Sequence, residues 1–461
     1  MKHVKETKKQ IKGLWRCNMK KVVSMLLVLI MVGSLAACGN AGSSTTSDKP
    51  AEESEGTTAA KETETKESES GGEQVKISFA LWDEVQKPVF DDIIAKFETE
   101  NPDIDVEVQL TPWDQYWTKL DAAMGANQAA DVFWMNTFLP KYVDAGVLEP
   151  LDSYIEKDNV DMSAYMETVA AALKYDDVQY CMPKGMDTVQ VFYNKAIFEK
   201  YGVAEPQTGW TWEDMVVIAE ELKTKIDEEG SDEYPILMEL DAQPSFLNFI
   251  PQEGGYMLSE DRKTTGIGLP GSIKSYQDVV DLIDNKLMPG SEVLSDTKGT
   301  DLFLSQKGAM LFMGSWKVPV LDEVSFAADI GTIAMPNKGE SNVSVLGGLG
   351  FAMNANSAEK EAAWKLVQYL AGEESNKLQA EAKIDVPALL SAQQYYKTEY
   401  IDTDVIFEAA KTGYPFPTSL SIADWFGIAN EISASIYAKE VTPEEGCQKM
   451  QEQIQALLDA E

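Results

Sequence analysis

Between residues 75 and 135 the hydrophobic period switches back and forth between two and about 3.6, and this alternation limits the fold more than any other feature of the chain. Residues 75–81 (Val-Lys-Ile-Ser-Phe-Ala-Leu) are apolar at every second position, the pattern of a strand with one face in a core. Pro88 then opens a stretch in which Val89, Phe90, Ile93, Ile94 and Phe97 share one helical face, and Asn101-Pro102 stops it. Ile104, Val106, Val108 and Leu110 alternate with Asp105, Glu107 and Gln109, a second strand. Helical spacing returns from Trp113 to Met124, and Val132-Phe133-Trp134-Met135 is a short apolar strand. Strands separated by helices are what parallel pairing requires, because a crossover must carry the chain back before the next strand can start. An α/β fold with mostly parallel sheets is expected.

The alternation continues downstream, though not as one simple sheet. Residues 212–226 and 276–283 are helical by spacing, and 345–353 read as a glycine-interrupted strand. Residues 357–370, with Ala363, Trp364, Val367 and Leu370, form an amphipathic helix capped by Ser357 and ended near Gly372. Residues 443–458 are the last helix, and no internal repeat of short period is present. A chain of 461 residues has room for two or three domains at ~100–200 residues each.

The beginning of the chain carries an address. Met19-Lys20-Lys21 and the apolar run 22–37 have the charge and hydropathy pattern of a secretory signal. The run ends in Leu35-Ala36-Ala37-Cys38, which resembles the bacterial lipobox, where the cysteine is lipidated and becomes the first mature residue. The other reading is a plain signal peptide with an incidental cysteine; translation starts at Met1 or Met19. Residues 1–37 hold eight Lys/Arg against one acid, so their removal leaves a still more acidic protein. Residues 38–74 are then the lipidated cysteine and a tether of Ser, Thr, Gly, Glu and Lys, too poor in apolar side chains to offset the entropy of ordering. Beyond residue 40 no apolar run is long enough to span a bilayer.

Charge and histidine content remove whole classes of function. With 39 Lys+Arg against 76 Asp+Glu, a net charge of −37, the chain offers no basic surface for a nucleic acid. His3, the only histidine, sits in the leader, so Ser-His and Cys-His catalysis and His-based metal sites are excluded from the mature protein. No cofactor or metal site is expected. Cys181 and Cys447 remain; they could pair outside the cytoplasm, and buried unpaired roles are favoured. Residues 266–271 (Gly-Ile-Gly-Leu-Pro-Gly) match GxGxxG, but no strand leads into them and a proline interrupts the turn, so dinucleotide binding is not inferred. Paired carboxylates for glycoside hydrolysis stay open, since any two of so many acids could lie at the right distance.

The tryptophans say more. Trp117, Trp212 and Trp364 sit at helical spacing and read as core. Trp82 directly follows the first strand, with Asp83-Glu84 beside it, and loops beyond the carboxyl ends of strands are where α/β proteins hold ligands. Trp316 follows Gly314-Ser315 after the apolar run 309–313. Each is either core or an aromatic plate for the C–H face of a sugar.

Taken in order, several motifs resemble a known family. They are the lipobox and tether, Trp82-Asp83, Ala130-Asp131-Val132-Phe133-Trp134-Met135-Asn136, Met182-Pro183 with Asp187, and Phe192-Tyr193-Asn194-Lys195. Thr211-Trp212-Glu213, Gly308-Ala309-Met310 with Gly314-Ser315-Trp316, Gly347-Gly348-Leu349-Gly350 and Val386-Pro387-Ala388 follow. The set is similar to the extracellular solute-binding lipoproteins of ABC sugar importers, the group that includes maltose-binding protein. The resemblance implies a two-lobed periplasmic-binding-protein-like α/β fold with the ligand in a cleft between discontinuous lobes. These are expected at 75–185 with 330–378, and at 186–329 with 379–461. It implies ligand contacts at Trp82, Asp83, Glu84, Asn136, Asp187, Trp316, Gly347, Gly348 and Trp425, with Asp131 bracing a loop instead. It further implies a monomer, lipid-anchored through Cys38 on the outer face of the bacterial cell membrane. Its expected partners are a carbohydrate and the subunits of an ABC permease, and it is not expected to be an enzyme. The alternative is a lipid-anchored glycoside hydrolase. Among the loops concerned only Lys184 could meet an anion, which favours a neutral sugar.

Overall fold

The computed structural model describes residues 74–339 and 341–461. The leader, Cys38 and the tether up to residue 73 lie outside the described residues. From Val75 the alternation becomes β1 (Val75–Leu81), the helix Lys87–Glu100, β2 (Ile104–Leu110), the helix Trp113–Gly125 and β3 (Val132–Met135). The first helix has proline in its opening turn, where a missing N–H is harmless, and buries Phe90, Ile93, Ile94 and Phe97. β1 runs parallel to β2 from Val75 opposite Ile104 to Leu81 opposite Leu110, and parallel to β3 at Phe79 opposite Val132. All three strands therefore end on one edge, and Trp82 and Asn136 sit just beyond it. Asp131 braces this sheet: its Oδ2 accepts from Ser78 N and Oγ at 2.8 and 2.9 Å, and its Oδ1 from Ser357 Oγ at 2.6 Å.

A small hairpin, β4 (Lys174–Tyr175) and β5 (Val178–Gln179), leads into β6 (Cys181–Asp187), which runs to the same edge. The chain then leaves for a second sheet made of β7 (Val189–Asn194), β8 (Tyr234–Met238), β9 (Gly308–Gly314) and β10 (Ile330–Ile333), in the order β10-β7-β9-β8. It returns as β11 (Val345–Met353), and two short strands, β12 (Val386–Pro387) and β13 (Tyr414–Pro415), complete the first sheet in the order β12-β6-β11-β3-β1-β2, with β13 beside β11.

Two α/β lobes are thus present, but both sheets are mixed where mostly parallel ones were expected. The crossings are the cause. A strand that enters a sheet from the edge where its neighbours end must run against them. β7, arriving from β6, is antiparallel to β9, whereas β8 and β9, connected within their own lobe, are parallel. β11, arriving from β10, is antiparallel to both β3 and β6. The expected lobe limits also differ from sheet membership. Residues 330–333 belong to the second sheet as β10, while β12 and β13 belong to the first. Two-residue strands carry no alternation that a sequence could reveal.

The helices follow the spacing with shifts at their ends. Trp212–Glu229 opens with a reciprocal Thr211–Asp214 capping box. Pro270–Asp284 starts six residues before the apolar spacing indicated, inside the glycine motif, because Pro270 suits a first turn. The element directly before it is a helix, Phe246–Gln252, and Gly268 N donates to Gln451 Oε1 at 2.9 Å. Lys360–Ala371 begins after Ser357, whose hydroxyl accepts from Glu359 N at 3.1 Å one step ahead of the helix proper. The helices Ile422–Tyr437 and Pro443–Leu458 return to the second lobe, where Tyr276 Oη lies 2.8 Å from Ser433 Oγ. Trp212 and Trp364 are core as expected. Cys181 and Cys447 are buried and unpaired among the described residues, and burial pushes the Cys447 thiol up to about 12.

Candidate ligand-binding site

The two sheets present their strand ends to each other across the β6–β7 crossing. On the first lobe, Trp82 is half-buried and meets Trp134 and Tyr116 edge-on at 4.9 and 5.0 Å, with Trp113 and Trp117 at 5.4 and 5.8 Å. Trp117 leans on Phe138 at 4.7 Å, and Phe138 meets Phe426 of the Ile422–Tyr437 helix at 5.6 Å. Phe416 lies 6.0 Å from Phe426. An aromatic row therefore runs from the first lobe to a helix of the second, with Trp113 still 42% exposed. Asp83 Oδ1 accepts from Val85 N and Gln86 N at 2.8 and 3.1 Å, which shapes the loop after β1. Glu84 is exposed. Asn136 spends its side-chain oxygen on Phe138 N at 2.9 Å and so sets the turn into the helix Leu139–Asp144.

Asp187 ends β6, where the chain crosses from the first sheet to the second. It sits opposite Gly347 of β11, and Ser315 Oγ donates to its Oδ1 at 3.4 Å from the end of β9. Burial, then the charge of Asp385, pushes its carboxyl up to about 7; Lys184 and Ser315 oppose the rise. Trp316, half-buried, follows Ser315 and lies over Gly314 so closely that a Cβ there would overlap its ring. Lys184 is not free to meet an anion. It is fully buried, paired with Asp385, donates to Gln86 Oε1 at 3.0 Å, and lies 4.5 Å over the Trp134 ring. Gly185 makes room for that pair, since a Cβ there would collide with the Asp385 carboxylate.

The two nominated glycines separate by the strand's alternation. A Cβ on Gly347 would lie 3.2 Å from Gln243 Nε2 and 3.9 Å from Asp187 Oδ2, so this bare backbone faces the crossing. A Cβ on Gly348 would meet Ala172 at 3.3 Å, so Gly348 faces the helix Glu167–Ala172 and serves packing, not the site. Trp425 is likewise removed from the site: it is fully buried, while its neighbour Phe426 joins the aromatic row. Gln243 was not foreseen. It follows β8 as Trp316 follows β9, and its buried Nε2 has no partner among the described residues. A neutral side chain in a loop without glycine motif or aromatic gives no sequence signal; only its place after a strand could have marked it.

The family of bacterial extracellular solute-binding proteins matches residues 82–377, from the Trp82 loop to beyond the Lys360–Ala371 helix. The chain belongs to that family. Being a member of this extracellular family places the folded part outside the cytoplasm. Among the described residues no helix is long and apolar enough to cross a membrane. The chain is similar to the galactooligosaccharide-binding protein of Bacillus subtilis, 25% identical over 81% of this chain and 82% of that one. It is similar at 25% identity to the maltotriose-binding protein of Pyrococcus abyssi, over 66% of this chain and 64% of the relative. Among solved structures, the ABC substrate-binding protein Lmo0181 from Listeria monocytogenes, in complex with cycloalternan, superposes with a TM-score of 0.78 at 26% identity, over 84% of this chain and all of that one. Maltose-bound MalE3 of T. maritima shares the fold at 19% identity with a TM-score of 0.72, over 83% of this chain and all of that one.

Proposed function

We propose that this solute-binding protein captures a neutral oligosaccharide between its lobes and hands it to the permease of an ABC transporter, as a monomer tethered through lipidated Cys38. The observation that carries the reading is the meeting, at one crossing, of an acceptor (Asp187), an unpartnered donor (Gln243 Nε2) and an indole (Trp316). A sugar needs these three: a flat aromatic for its C–H face, and charged and neutral polar groups for its hydroxyls. Asp83, Glu84 and Asp187 would repel an anion, and Lys184, already paired with Asp385, cannot compensate. The aromatic row from Trp82 to Phe416 provides further plates, which suits a ligand of several rings. Relatives named for galactooligosaccharide and maltotriose support the same class.

A panel of neutral mono- and oligosaccharides, followed by tryptophan fluorescence and thermal melting, tests this. The right sugar quenches or shifts the emission and stabilises the fold by ~2.7 kcal/mol at a hundredfold excess over Kd. Chromatography of the recovered sugar decides between capture and hydrolysis: it returns intact for a binding protein and cleaved for a glycosidase. No response to any oligosaccharide overturns the assignment. Cys38→Ala should release the protein from membranes, because an acidic body has no other affinity for lipid; wild-type retention contradicts the anchor.

A further inference from the structure

We propose that Asn248 is a positioning residue that fixes the Gln243 loop to the β11 crossing strand and thereby sets the affinity of the cleft. The proposal rests on the reading that Gln243 contacts the sugar. Asn248 lies in the helix Phe246–Gln252 of the second lobe and is completely buried. Its Nδ2 donates to the Gln243 carbonyl at 2.6 Å and reaches the Ser245 carbonyl at 3.4 Å. Its Oδ1 accepts from Val345 N at 2.8 Å. Exchanging the amide's oxygen and nitrogen would set donor against donor and acceptor against acceptor, so the partners fix its orientation.

Val345 is the first residue of β11 and stands two before Gly347, the bare backbone that Gln243 Nε2 approaches. One side chain therefore holds both sides of that approach: the backbone of Gln243 and the strand carrying Gly347. The helix is tied to the same crossing a second time, since Gln252 Nε2 donates to Val343 O at 2.8 Å. Val189 N donates to Ser344 Oγ at 2.6 Å, which joins the β6–β7 crossing to it as well. The 241–245 loop, between β8 and its helix in the second lobe, is thus also bonded to the crossing strands. Gripping a ligand costs both side-chain and loop ordering, and a backbone already held removes the loop's share.

Asn248→Asp keeps the size and the acceptor for Val345 N but sets a carboxylate oxygen against the Gln243 carbonyl. Asn248→Ser is the second, smaller variant. Each is combined with Gln243→Ala, and Kd for the best sugar of the panel is measured by calorimetry beside thermal melts. The expected result is a loss of about tenfold for Gln243→Ala, a loss of about threefold to tenfold for either Asn248 variant, and no further loss in the double variants. Losses that multiply in the double variants, or unchanged affinity in folded Asn248 variants, overturn the proposal. If both single variants fail to fold, the residue is structural and the proposal also falls. Unchanged affinity in Gln243→Ala removes Gln243 from the site and with it the role of Asn248, whereas a wild-type protein that binds no sugar refutes the functional reading itself.

Discussion

Trp316 rests on Gly314 with part of its ring still accessible, while Trp425 is sealed into the Ile422–Tyr437 helix packing. Trp316→Ala should weaken sugar binding about tenfold or more and leave the unliganded melting temperature nearly unchanged, as calorimetry beside melting will read. Trp425→Ala should instead cost about 3–5 kcal/mol in urea unfolding with Kd intact among the folded molecules. The adjacent glycines divide the same way. Gly347→Leu crowds the Gln243 and Asp187 side chains and should abolish binding, measured among the folded molecules. Gly348→Leu overpacks against Ala172 and Val169 and should lower stability by about 1–3 kcal/mol while affinity is kept. The strand-end positions of Asp187, Trp82 and Trp316 were legible because the apolar runs before them end there. The partition of Gly347 from Gly348, and of Phe426 from Trp425, depends on which way one residue faces. A one-residue change of face leaves the sequence motif looking the same.

At the scale of elements, the β6–β7 crossing brings carboxylates together, and this has a pH signature. Asp187 faces Asp385, Lys184, Ser315 and Asp83, and its folded value of about 7 stands above the ~3.9 of an unfolded aspartate. Its contribution to stability is therefore fully present below about pH 4 and is lost as pH rises through 7. Unliganded melts should show a falling component over that window, and Asp187→Asn should remove it. Ligand affinity has the opposite sign, because a sugar hydroxyl donates best to the ionised form. Calorimetry should give tighter binding at pH 8 than at pH 6, and equal binding at both in Asp187→Asn. The βαβαβ beginning was readable because period two and period 3.6 alternate cleanly there. The mixed strand directions were not, because they follow from where the chain crosses between lobes, which no local pattern records. The Pro443–Leu458 helix opens on a capping box of Thr442 with Glu445, and Thr442→Ala should cost about 1 kcal/mol.

For the whole molecule, the arrangement predicts that binding and lobe closure are one event. Residues that would hold the sugar stand on both lobes, Trp82 and Gly347 on the first sheet, Trp316 and Gln243 after strands of the second. Asp187 lies at the crossing, with Ser315 on one side and Gly347 on the other. A ligand touching both edges stabilises the state in which they are nearest, by its difference in affinity for the two states. The lobed architecture was expected from motif order across the chain, while the exact allotment of residues 330–333 and of β12 and β13 required the pairing itself. Small-angle scattering with and without the best sugar of the panel tests this account most directly. A smaller radius of gyration in the presence of saturating sugar, absent in Trp316→Ala at the same concentration, is the predicted result; a saturated protein whose scattering curve is unchanged contradicts it.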